Sequence, residues 1–148
     1  MAETKQFLRV GLAGVDYLLP NSTSYVIEKR EHLEINDAPG ALIAAWQSAS
    51  AGRAPAYSVD ADLNAMSRPS WQRAVFFRAG NQTLGLVADE LQLLSREDVR
   101  VEPFVPPGPA SAFGQLFNGA WVRAGHVPVL VFEPRSLANY LMRLEAAA

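Results

Sequence analysis

A chain of 148 residues, 49% of them hydrophobic, is long enough for one domain or for two small barrels around a shared core. Its formal net charge of -2 comes from 13 basic and 15 acidic residues scattered along the sequence, so there is no concentrated basic face and nucleic acid is not expected as a partner. Cysteine is absent, which excludes a disulfide frame, a thiolate nucleophile and a zinc ribbon.

The opening segment MAETKQFLRV lacks the basic-then-apolar pattern of a secretory signal, and no apolar run approaches the roughly 20 residues that a membrane helix needs. A cytoplasmic protein with no direct membrane insertion is expected. Leu8, Val10 and Leu12 then alternate on one face, Ala13-Gly14 supplies a turn, and Val15 to Leu19 returns until Pro20 stops it. From Asn36 to Met66 the chain is rich in Ala, Ser and Gly. Here Ala41 to Trp46 suggests a short helix, Ser48 to Gly52 a loop, and Tyr57 to Leu63 a strand.

The densest structural signal follows at Arg73 to Pro103. Val75, Phe76 and Phe77 form a buried run, and Gly80-Asn81 offers the positive-φ residues of a tight hairpin. The return passes through Gly85 to Asp89, after which Leu91 and Leu93 alternate with Glu90 and Gln92. Residues 103–112, PFVPPGPASA, cannot form a central strand because proline lacks the ladder donor, and they read as a surface loop. A third hairpin pairs Ala120 to Arg123 with Val127 to Phe132 across Ala124-Gly125-His126. In the tail, Leu137, Tyr140, Leu141 and Leu144 fall at helical spacing, with Ser136 as N-cap and Pro134 just before it.

Reactive chemistry is sparse. His32 and His126 sit among charged or turn residues and read as solvated side chains; neither has an HxH or HExxH partner. The pairs Asp89-Glu90 and Glu97-Asp98 are adjacent, so on a strand they point to opposite faces. No GxSxG elbow, GxxxxGK[ST] phosphate loop or GxGxxG turn occurs. Asn21-Ser22-Thr23 and Asn81-Gln82-Thr83 match the glycosylation sequon and read as turns. Trp46, Trp71 and Trp121 are read as core before partner anchors. Neither a metal nor a cofactor is expected, and the chain does not read as an enzyme.

The block GNQTLGLVADELQLLSREDVRVEP resembles the second-subdomain signature of CheW-like domains. In that signature a glycine-turn hairpin leads to a Val-Asp pair, here Ala88-Asp89, and then to a strand with an apolar-x-Pro ending. FLRVGLAGVDYLLPNSTSYVIEKRE resembles the opening hairpin and the strand carrying valine and glutamate, with Val26 and Glu28 at the matching places. AFGQLFNGAWVRAGHVPVLVFEPRSL resembles the closing pattern, so the likeness runs from about Phe7 to Tyr140. The departure is in the middle. Where the family carries Asn-Leu-Arg-Gly, this chain has Ser48-Ala49-Ser50-Ala51-Gly52-Arg53, with Arg53 the nearest substitute for the arginine.

The resemblance implies a mainly β chain, residues 1–148, forming a single domain of two intertwined SH3-like five-stranded barrels, with a short middle helix and a C-terminal helix. It implies an adaptor that docks the regulatory domain of a CheA-type histidine kinase and the cytoplasmic tip of a chemoreceptor. The displaced arginine bears on the receptor contact and, with the alanine-rich middle, marks a divergent member; a pilus or another non-flagellar pathway is the expected setting. Val26, Ile27 and Glu28 are then expected on an exposed strand, Arg53 near the receptor contact, and Leu86 and Val87 on the intersubdomain side. A different class is a small barrel that binds an apolar ligand, with a pocket among Trp71, Phe76 and Trp121.

Overall fold

The computed structural model describes residues 6–20, 25–36, 40–48, 52–66, 70–103 and 116–146. In strand β1 (Gln6–Leu12), Leu8, Val10 and Leu12 are fully buried. Ala13 and Gly14 follow with φ of 50° and 88°, and β2 (Val15–Pro20) returns in register from Leu12 against Val15 to Phe7 against Pro20. Two consecutive positive φ values match the twist of a two-residue hairpin, and only the alanine is strained by them.

The next strand, β3 (Tyr25–Lys29), leaves this hairpin for a second sheet. A 3-10 turn at Arg30–His32 leads to the two-residue β4 (Glu34–Ile35), then β5 (Leu42–Ser48) and β6 (Gly52–Tyr57). The second tight hairpin, β7 (Arg73–Ala79) and β8 (Gln82–Ala88), joins the same sheet. The chain then crosses back as β9 (Glu90–Ser95), turns through Arg96–Asp98, and completes the first sheet with β10 (Val101–Pro103), β11 (Phe117–Trp121) and β12 (Val129–Phe132). Helix α1 (Pro134–Ala146) closes the described chain. It is too short to cross a membrane, and no described helix is long and apolar enough to do so.

The two sheets run β10-β11-β12-β2-β1-β9 and β4-β5-β6-β8-β7-β3. Written this way, they match strand for strand. Each has one parallel pair, β12 with β2 and β6 with β8, and in each the two outermost strands are linked by a 3-10 turn. The hairpin that begins each half of the chain has been exchanged into the sheet built by the other half. That exchange intertwines the two sheets.

Both faces of the central strands are buried as a result. Along β7, Val75 and Phe77 enter a core shared by both sheets and α1, while Ala74 and Phe76 enter a separate core inside the second sheet. The shared core also holds Leu8, Val10 and Leu12 of the first sheet with Leu137 and Leu141 of the helix. A third cluster, Leu18, Val99, Trp121, Val129 and Val131, fills the first sheet.

Several expectations are corrected. The expected middle helix, Ala41 to Trp46, is largely strand β5: its small alanines lie against β6, Ala44 opposite Ala56 and Ala45 opposite Pro55. The strand expected over Tyr57 to Leu63 ends at Tyr57; beyond it the chain turns, with Leu63 at φ 67° and one isolated bridge between Val59 and Ala65. Each sheet has six strands, not five, the extra ones being the short edges β4 and β10. In the second tight hairpin only Gly80 takes positive φ, not Asn81. The helix begins at Pro134, and its cap is the Glu133 carboxylate, which accepts from the backbone N–H of Arg135 at 2.6 Å and of Ser136 at 3.2 Å. Proline suits the first helical position because its missing N–H has no acceptor there. Of the proline loop, Pro103 ends β10, and residues 104–112 lie outside the described residues, as do Asn21 to Thr23 and Ala49 to Ala51.

Candidate partner-binding surface

Strand β3 forms one end of its sheet, hydrogen-bonded along β7 from Tyr25 against Phe77 to Lys29 against Arg73. Because strand residues alternate between faces, Tyr25 and Ile27 turn toward the shared core and pack against it. Val26 lies opposite Phe76 and is 44% exposed. Glu28, on the same face as Val26, is half-buried, and its Oε2 lies 3.2 Å from Nδ1 of the exposed His32 one 3-10 turn later. An apolar side chain and a carboxylate thus stand together on an open strand edge, a surface suited to protein contact.

The other expected contacts separate from this strand. Arg53 is exposed on β6 and forms an ion pair with Glu34 of β4, at the opposite end of the same sheet from β3. Leu86 and Val87 are 1% and 0% exposed, one in the shared core and the other in the core of the second sheet. Both faces of β8 are covered, so neither reaches a partner, although Leu86 does lie between the sheets as expected. The ligand pocket imagined among Trp71, Phe76 and Trp121 does not form either: Trp71 and Phe76 belong to the second sheet's core and Trp121 to the first's. Trp71 and Trp121 are core residues, and the partly buried Trp46 packs against the core, tilted on Phe76 at 5.0 Å between centroids.

Asp89, singled out with Ala88, has a structural task. Its Oδ2 accepts from the backbone N–H of Ala13 at 2.7 Å, and its own N–H donates to Gly11 O at 2.9 Å. The corner between β8 and β9 is thereby fastened to the tip of the first hairpin. A second fastening uses two phenols. Tyr17 donates to Ala61 O and Tyr140 to Leu63 O, each at 2.5 Å, so β2 and α1 both grip the turn that follows β6. Burial first, then repulsion from Asp62 and Asp60, raises the Tyr17 pKa; burial and Asp60 raise that of Tyr140. Burial also raises Tyr25.

Sequence reading missed two neighbouring features. Arg9 of β1 bonds Asp16 at 2.7 Å and Gln92 at 2.9 Å, with Glu90 at 3.4 Å, and so ties three adjacent strands of the first sheet. A groove of about 680 Å³ lies beside Trp71, rimmed by Lys29, Arg30 and Arg73 and floored by Leu33 and Ile35. The adjacent Lys29-Arg30 pair was its sequence signal. Its register opposite Arg73 was invisible without the strand pairing.

No family model matches the chain, and no curated protein matches it. Solved structures do, fourteen chains among them. One is the crystal structure of the scaffolding protein TtCheW from Thermoanaerobacter tengcongensis, similar over 88% of this chain and 90% of that one, with a TM-score of 0.59 and 16% identity. Two exchanged hairpins, two curled sheets, a common core and a closing helix therefore give this chain a CheW-like fold.

Proposed function

We propose that the chain is a non-catalytic adaptor of bacterial chemosensory signalling, acting as a single cytoplasmic domain that joins a CheA-type histidine kinase to chemoreceptors. The observation that carries this reading is the likeness in fold to a CheW scaffolding protein over nearly the whole chain. The open edge of β3 supports it, because it presents the exposed Val26 beside Glu28 on a strand whose inner side chains are already packed. In this reading Val26, Ile27 and Glu28 form the partner strand, with Ile27 fixing its seat on the core. Arg53, paired with Glu34 of β4, is read as a separate contact on the same sheet, and a pilus or other non-flagellar pathway is the proposed setting.

The test is direct binding of the purified chain to the regulatory domain of a CheA-type kinase from the same organism, followed by calorimetry. Binding by the natural chain, weakened about tenfold or more in Glu28→Lys and Val26→Asp with unfolding midpoints preserved, is the expected outcome. An affinity unchanged by both substitutions removes β3 from the interface. Failure of the natural chain to bind any kinase regulatory domain overturns the adaptor reading itself.

A further inference from the structure

The groove beside Trp71 collects positive charge that forms no ion pair among the described residues. Lys29 and Arg73 stand directly opposite each other at the end of the β3–β7 ladder, and Arg30 is the next residue along. Like charges facing across a strand pair destabilise it. None of the three has a carboxylate partner among the described residues; Arg30 instead lies over the Trp71 ring, 5.2 Å from its centroid. Among the described residues Glu31 is the one acidic residue lining the groove. In a chain of net charge -2, three cations in one place, unpaired among the described residues, are a local feature and not an average.

Beneath the cations the surface is apolar. Trp71 and Leu33 are nearly buried, whereas Ile35 on the edge strand β4 is 43% exposed. The groove also lies where β3 and β4, the two ends of the second sheet, come together across the Arg30–His32 turn without pairing to each other. We propose that this groove docks an acidic segment of a partner protein. Carboxylates of the segment meet Lys29, Arg30 and Arg73, and an apolar side chain settles between Trp71 and Ile35. A bare polyanion or an anionic membrane would use the charge and leave the apolar floor uncovered. An extended segment has in addition a free strand edge to follow. The surface is distinct from Val26 and Glu28, and the proposal stands whether or not the partner of β3 is a kinase.

The probe is a short fluorescein-labelled peptide of aspartate and glutamate with one central leucine, titrated by fluorescence anisotropy. Expected are saturable binding that weakens with salt, a loss of about tenfold or more in the Lys29→Glu/Arg73→Glu double variant, and weaker binding when serine replaces the leucine. A lysine peptide with the same leucine should not bind. Arg30 is left in place because it covers Trp71, and both altered side chains are exposed. Near-ultraviolet circular dichroism verifies the fold, and if the double variant has lost it, Arg73→Gln alone is read in the same way. No binding by the natural chain, equal binding by the folded variant, or equal binding of the serine peptide with full competition by polyphosphate each overturns the proposal.

Discussion

Gly85 on β8 stands opposite Phe76 on β7, and a Cβ added there would meet the phenylalanine ring at 2.6 Å. The ring is 1% exposed and leans on Trp46, so it has little room to retreat. Gly85→Ala should therefore cost about 1–3 kcal/mol by overpacking, read as a lower urea midpoint. The neighbouring apolar residues differ in kind. Leu86→Ala should cost about 2–5 kcal/mol, since it empties part of the shared core, whereas Val26→Ala should change stability by less than about 0.5 kcal/mol. Equal losses in the two would show that Val26 is core and not surface. The sequence could not separate them, because in a strand covered on both faces the alternation that marks an exposed side disappears. The exposure of Val26 was expected only from the family resemblance, and Leu86 and Val87 sat in an unbroken apolar run.

At the scale of elements, the tight hairpins were legible because their turn residues act locally, while β5 was not. Ala41 to Trp46 carries residues that favour a helix, and it is held as a strand by pairing with β6 and β4 on its two sides, which overrides the local propensity. The turn after β6 depends on distant partners, since Tyr17 and Tyr140 come to it from 44 and 77 residues away in sequence. These phenols make the attachment pH-sensitive. In the unfolded chain each ionises near its ordinary value of 10.0, whereas in the native state burial and nearby carboxylates hold the proton to higher pH. Their stabilisation is thus complete below about pH 10 and is lost as the pH rises through the raised native values. The unfolding free energy should fall above about pH 10, and the fall should be shallower in Tyr17→Phe/Tyr140→Phe, whose plateau near neutrality is lower by roughly 1 kcal/mol per lost hydrogen bond. An identical alkaline slope in the double variant would place the sensitivity elsewhere.

For the whole molecule, the exchange of hairpins decides what can fold alone. A fragment ending after residue 66 would carry β1 and β2 without β9 to β12, and β3 to β6 without β7 and β8. Its hairpin would leave Leu8, Val10 and Leu12 facing solvent, because the other wall of their core, Val75, Phe77, Leu84 and Leu86, belongs to the second half. The complementary fragment from residue 70 would contain β7 and β8 with nothing to pair on β8's far side, and its β12 would have lost β2. A two-stranded hairpin is marginal in water by itself, and neither fragment assembles one complete sheet. Each fragment alone should therefore give no cooperative thermal transition and no near-ultraviolet dichroism. Mixed in equal amounts, they should recover both, because every strand pairing that crosses the cut can form between chains. The same reasoning predicts that the two sheets unfold together, as one cooperative unit. A cooperative transition in either fragment alone would instead give two separable units.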